Sequence, residues 1–293
     1  MREFAQLLIA GLSTGAIYAS LALALVLIYQ STEVVNFAQG EMAMFSTFIA
    51  WELIDKGMPF WAAFALTLAL AFFGGVTIER VLIRPVEKAS VLTIVIVTVG
   101  LLLIFNNLAG GIWGFQLKTF PSPFPSGTWQ VSGVVISQQS VGVFGVALLL
   151  MALLAVFFRF TALGLAMRAT AMNREPAELM GIHTTWMLAL GWGLAAVVGA
   201  TAGVLVAPIV FLDPNMMQGL LLFAFAGATL GGFESPGGAV LGGLLVGVAQ
   251  AMIGNYVSFI GTDLSLTVAM AIIVLVLVFK PTGLFGQAAA RRV

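Results

Sequence analysis

Nine apolar stretches, parted by short polar connections, run the length of this 293-residue chain. A helix needs about 20 residues to cross the hydrocarbon core of a bilayer. Inside lipid a helix satisfies its backbone N–H and C=O groups within one segment. The stretches lie at 7–29, 38–54, 60–80, 90–111, 140–159, 186–209, 217–233, 237–257 and 264–280. They predict an all-α polytopic membrane protein of about 8–9 transmembrane helices, built as a single transmembrane domain over 1–293. The second and seventh stretches are short and open on polar residues. They are expected to be broken or re-entrant helices, tolerated where protein or a wet cavity surrounds the freed backbone.

Composition removes the other classes. With 61% hydrophobic and 8% charged residues, the chain lacks the charge to cover a water-facing surface of its size. Twelve basic and twelve acidic residues cancel, which speaks against a nucleic-acid partner, since that needs a basic stripe. Cysteine is absent, so disulfides and thiolate sites are excluded, and the single histidine, His183, cannot form a histidine-rich metal cluster. His183 sits beside a polar stretch and is read as solvated or interfacial. The opening MREFAQLLIAGLSTGAIYA pairs an acid with its one Arg and runs into a full span, so it is expected to stay as a membrane helix.

Basic residues set the expected orientation. Arg80, Arg84 and Lys88, then Arg159, Arg168 and Arg174, then Lys280, Arg291 and Arg292 cluster in three places, which the positive-inside rule assigns to the cytoplasm. Nine spans then put the amino terminus outside and the carboxyl terminus inside. The stretch 112–139, with Lys118 alone and prolines at 121, 123 and 125, becomes an external folded-back loop.

Two segments carry the functional signals. Asn36-Phe37-Ala38-Gln39-Gly40 and Asn215-Met216-Met217-Gln218-Gly219 share an N-x-x-Q-G pattern, and each opens a short span in opposite directions. Paired interrupted segments of this kind belong to transporters with inverted repeats, where helix starts and amides line the substrate path. Asn36, Gln39, Gly40, Glu41, Asn215 and Gln218 are the resulting path candidates. Amides at that depth also serve as hydrogen bonds between helices. The second segment, 160–185, is polar between two long spans. Asn173 is a candidate N-cap, Pro176 fits a first helical turn, Glu175 lies near the positive helix end, and Gly181 would end the helix. An ordinary capped loop helix and a docking site both fit.

Glu175-Pro176-Ala177 followed by Gly181 resembles the Glu-Ala-Ala, three residues, Gly loop of ABC-importer permeases, with Pro176 in place of Ala. Nearly the whole chain is similar to the LivH-type membrane subunit of branched-chain amino-acid ABC importers. The matching motifs are Gly15-Ala16-Ile17-Tyr18-Ala19 through Leu27-Ile28-Tyr29, Val35 to Glu41, Met167-Arg168-Ala169 with Asn173-Arg174-Glu175 and Gly181-Ile182, and Phe279-Lys280-Pro281-Thr282-Gly283-Leu284-Phe285-Gly286. The resemblance implies a type II ABC-importer-like permease half in an inner membrane. It also implies a LivM-type second permease, two LivG/LivF-type ATPase subunits and a periplasmic substrate-binding protein. Arg168, Asn173, Arg174, Glu175, Ala177 and Gly181 would form the ATPase-coupling segment.

A self-powered ATPase is excluded by the residues themselves. A phosphate loop ends in Gly-Lys-Ser/Thr, and none of Lys56, Lys88, Lys118 and Lys280 follows a glycine. No cofactor is expected on this chain, ATP being used by the partner subunits. The alternative is a stand-alone carrier or channel for small polar solutes such as urea or amides. A proton-coupled carrier wants acids deep in its spans; Glu41 is the best candidate, while Glu52, Asp213, Glu234 and Asp263 fall near span ends. Residues alone leave the substrate open among branched-chain and other amino acids, urea, amides and aromatic acids.

Overall fold

The computed structural model describes residues 2–131, 133–257 and 264–286. Among them are the helices α1 (Arg2–Thr32), α2 (Gln39–Asp55), α3 (Phe60–Ile78), α4 (Val91–Trp113), α5 (Gln138–Phe160), α6 (Ala162–Met172), α7 (Arg174–Leu179), α8 (Thr184–Val210), α9 (Met216–Gly231), α10 (Pro236–Tyr256) and α11 (Ser265–Phe279). Six are long and apolar enough to cross a membrane: α1, α3 with its extension to Val86, α4, α5, α8 and α10. The chain is an all-α membrane protein with shorter helices among the long ones. All nine apolar stretches are helical, but α2, α9 and α11 have 17, 16 and 15 residues. The stretch 264–280, expected as a full span, therefore joins the short class. Asp263, Arg291 and Arg292 lie outside the described residues.

The stretch 112–139 is more ordered than its prolines suggest. It contains an antiparallel hairpin, β1 (Thr128–Val131) with β2 (Val134–Ser137), Thr128 facing Ser137 across the ladder.

The contacts gather into two compact units. The second comprises Leu27–Pro123 and Val146–Met217, and α8 is its centre, packed on α3 and α2 while α2 also meets α3 and α4. Small residues on two sides of α8 make this possible. A side chain at Gly75 of α3 would run into the Trp192 carbonyl at 2.6 Å and the Ala196 methyl at 2.9 Å. On another side, a side chain at Gly203 would meet Thr47 Oγ1 and, at 2.9 Å, the Ala43 carbonyl of α2. At the far end of α2, Trp113 stacks on Phe48 with ring centroids 4.9 Å apart and donates its Nε1–H to Glu52 at 3.1 Å.

The first unit comprises the described residues of Met1–Val26, Phe124–Gly145 and Gln218–Val293. Here α1 and α10 meet backbone to backbone at Gly15 and Gly247. Tyr18 stacks on Phe223 at 4.9 Å and donates to Gln250 Oε1 at 2.7 Å, so the phenol buried in an apolar cluster keeps a partner. The motif 279–286 turns back on α9. The Leu284 N–H donates to the Leu230 carbonyl at 2.7 Å and the Phe285 N–H to the Gly231 carbonyl at 3.1 Å. Those are carbonyls that the end of a helix leaves without an internal partner. Gly283 makes the turn with φ +76, its Cα side 2.5 Å from the Gly232 backbone were a methyl present.

That turn generates a stability prediction. Gly283→Val combines a left-handed backbone with a backbone clash, and is expected to cost about 1–3 kcal/mol. A fall in the detergent-solubilised unfolding midpoint measures it; an unchanged midpoint contradicts the role given to the tail turn.

Candidate functional site

The connection 160–185 folds as two short helices. Thr161 starts α6, its Oγ1 accepting from the Gly164 N–H at 3.0 Å, and Gly164, Met167 and Thr170 form the buried side. Arg168 is exposed. Asn173 is extended and stands at the N-cap position of α7, but its side chain makes no cap hydrogen bond; its backbone carbonyl accepts from Ala177 N–H at 3.3 Å instead. Pro176 is the third residue of α7. The helix closes at Gly181, whose φ of +82 suits glycine. There the Gly181 N–H donates to the Glu178 carbonyl and the Ile182 N–H to the Ala177 carbonyl, at 2.9 and 3.0 Å.

This small helix buries one apolar residue and leaves the next bare. Ala177 is buried, and Glu175 is exposed. Leu179 and Met180 are 88% and 83% exposed, as is Met172 at 88%. These apolar side chains stand bare on the connection.

Charge fastens the connection to its surroundings within the second unit. Arg174 forks onto Glu87, Nη1 and Nη2 donating to the two carboxylate oxygens at 3.3 and 3.4 Å, and its Nε donates to Glu178 and to Thr184 Oγ1, each at 3.2 Å. The Thr184 hydroxyl donates to Glu178, and with Arg174 it holds the Glu178 carboxyl below the usual range. Arg80 lies over the Trp186 ring, 3.8 Å from its centroid. Beside the connection opens a cavity of about 310 Å³, walled by Thr32, Glu33, Glu79, Glu87, Asn173 and Arg174 among others. Glu79 and Glu87 were not singled out in the sequence; acids at a helix end beside Arg and Lys look like ordinary interfacial charges.

The two N-x-x-Q-G segments occupy different settings. Asn36 and Gln39 are fully buried, and Glu41 is 2% exposed. Gln39 Nε2 donates to the Ala195 carbonyl of α8 at 3.1 Å, and the Cβ that Gly199 lacks would fall on that amide. Gly40 is buried in the same turn. Asn215 and Gln218 are exposed.

The devices that open α2 and α9 also stand in a different register from the sequence echo. Asn36 Oδ1 accepts from the N–H two residues on, Ala38, at 3.0 Å, and its carbonyl from the N–H three on, Gln39, at 3.3 Å. Asp213 repeats both, accepting from Asn215 N–H at 2.6 Å and from Met216 N–H at 3.2 Å. The structural counterpart of Asn36 is therefore Asp213 and not Asn215, because a helix start is defined by which oxygen receives its first free N–H groups. Asn106 of α4, midway along an apolar run, steadies this start by donating to the Pro214 carbonyl at 2.8 Å and to Asn215 Oδ1 at 3.2 Å. An amide pair inside a lipid-length run, Asn106-Asn107, was the available signal.

Comparison with known proteins places this architecture. Residues 7–278 match the family described as "Branched-chain amino acid transport system / permease component". The high-affinity branched-chain amino acid transport system permease protein LivH of Escherichia coli (strain K12) is 32% identical over 308 residues, covering 99% of this chain and 98% of the relative. The corresponding BraD of Pseudomonas aeruginosa is 32% identical over 305 residues, with the same coverage. A probable LivH of Methanocaldococcus jannaschii is 27% identical over 91% of this chain and 87% of its own length. In fold, the chain is similar to PsaBC from Streptococcus pneumoniae in complex with Fab, with a TM-score of 0.52 at 14% identity over 96% of this chain and 93% of that one. A component of a larger system is not a stand-alone carrier, and its ATPase is a separate subunit. The chain belongs to the permease-component family of branched-chain amino acid ABC transport systems.

Proposed function

We propose that this chain is one half of the membrane pathway of an ATP-driven importer, translocating branched-chain or closely related amino acids handed over by a periplasmic binding protein. A LivM-type permease would form the other half, and two LivG/LivF-type ATPases would drive the cycle. Support comes from relatives that share the chain over nearly its full length and carry that substrate in their names. No cofactor is assigned to the chain itself.

The observation that carries the mechanism is α7. It is fastened by Arg174, closed by Gly181, and presents Leu179 and Met180 almost wholly to solvent. In the proposed cycle the connection 160–185 docks in a groove of an ATPase subunit. Glu175, near the positive end of the helix, adds charge, with Arg168 and Asn173 on the same connection and Ala177 as the buried anchor. ATPase closure then rocks the permease halves between outward and inward openings, as alternating access requires.

The finer architecture belongs to the same proposal: nine spans, amino terminus outside, carboxyl terminus cytoplasmic, α2 and α9 as the broken members of an inverted repeat. Basic residues at Arg80, Arg84, Lys88, Arg159, Arg168 and Arg174 support that orientation. The path is proposed to run against the partner permease. Asn215 and Gln218 are exposed and suited to face it. Asn36, Gln39, Gly40 and Glu41 would support it from inside the second unit, since a buried amide without a partner costs roughly 2–7 kcal/mol and Gln39 already has one.

Three outcomes test this reading. Proteoliposomes holding the assembled transporter and its binding protein should accumulate labelled leucine on ATP addition, and competition by urea but not by isoleucine would overturn the substrate class. Leu179→Asp should weaken ATPase association by about tenfold or more, as loss of a buried apolar anchor at a hot spot does, while Glu175→Lys and Gly181→Trp should leave ATP hydrolysis uncoupled from uptake. Normal association and uptake in all three refute the docking. For orientation, single cysteines at Ser122 and Met172, both exposed, should label from opposite sides of the membrane; labelling of both from outside refutes the topology.

A further inference from the structure

The turn between α3 and α4 is wound in an unusual way. After Ile78 the helix continues as a π segment, Glu79–Ile83, and then a 3-10 segment, Arg84–Val86. Five residues apart on an α-helix, side chains point about 140° away from each other. The i to i+5 pattern of a π turn brings them together. That is what lets Arg84 fork onto Glu79 at 3.2 and 3.4 Å, compensating a carboxylate that is 2% exposed. The same guanidinium donates to the Thr185 carbonyl at the start of α8 at 3.0 Å.

The turn is thus held at two points to the stretch 174–185. Arg84 ties its beginning to α8, and Glu87 ties its end to Arg174, the first residue of α7. The Glu87 pair is two-toothed and partly sheltered, with the side chains 19% and 38% exposed, and Glu178 and Thr184 hold the guanidinium in place from the other side. Forked charge-assisted pairs keep their geometry better than single contacts. A displacement of α7 must either break this fork or carry the turn with it. Glu79 and Glu87 also wall the cavity beside Asn173 and Arg174, so movement of the turn changes that cavity.

We propose that the α3–α4 turn is a second moving element of the coupling apparatus, with Glu87 the positioning residue that carries the motion of α7 into it through Arg174. This rests on the docking of α7 proposed above. The transporter's membrane half would then be driven at α3 and α4 as well as at α8.

The test uses the assembled transporter in proteoliposomes, with its binding protein and labelled leucine. Lys88 is exposed, lies in the turn and takes no part in the fork, so a spin label on Lys88→Cys in this cysteine-free chain reports the turn. ATP binding should change its mobility with the fork intact, and Arg174→Gln should abolish the change. Glu87→Gln and Arg174→Gln should each lower leucine transported per ATP hydrolysed by about fivefold or more, and the swap Glu87→Arg with Arg174→Glu should recover most of it. A label that ATP does not move, or a well-assembled Glu87→Gln transporter with unchanged leucine per ATP, overturns the inference. The label measurement needs neither fork variant to fold. If Leu179→Asp leaves ATPase association intact, the docking reading itself has failed; if Leu179→Asp releases the ATPase but ATP leaves the label still in the transporter with α7 and the fork unaltered, only the role of the turn has.

Discussion

Close approach of backbones at α8 is the constraint on which the second unit depends. Where side chains are reduced to glycine and alanine, helices in lipid gain packing that no hydrophobic driving force supplies between them. Gly203 and Gly199 let α2 settle against α8, and this brings Gln39 within reach of the Ala195 carbonyl. Gly75 does the same for α3. A polar amide can sit fully buried in this unit because the approach is close enough to give it a partner.

The same economy of polar groups governs the ends of helices. Asn36 and Asp213 serve α2 and α9 alike, and Asn106 reaches across from α4 to hold the second start. In the first unit the tail segment 279–286 completes the end of α9. Short helices in a membrane protein expose their free N–H and C=O groups within the apolar region, where water is scarce, so each end needs a residue dedicated to it.

Against that background the connection 160–185 stands apart. Arg174, Glu178 and Thr184 bond one another there, yet the apolar residues Met172, Leu179 and Met180 remain bare. Rigid fastening with an uncovered apolar tip is what the proposed docking surface for an ATPase subunit would use. Such a surface must be stiff enough to move as one piece and adhesive enough to follow its partner.

Much of this was legible in the residues. Hydrophobic run length located all nine apolar helices, since span length is set by the bilayer and not by the fold. Gly181 was legible as the end of α7 because turn chemistry is local, and the spaced motifs carried the family resemblance. Tertiary structure decided the rest. Whether Gln39 is buried against a carbonyl depends on which helix comes near, and that is a matter of packing between residues 156 apart. The match of Asn36 with Asp213 rather than Asn215 was hidden because Asn and Asp side chains make the same turn ahead of a helix but are different letters in a pattern. Glu79, Arg84 and Glu87 gained their meaning from a π turn and a fork across 87 residues of sequence. Periodicity cannot foresee either of these, because a π turn departs locally from the 3.6-residue repeat and the fork needs two distant segments brought together.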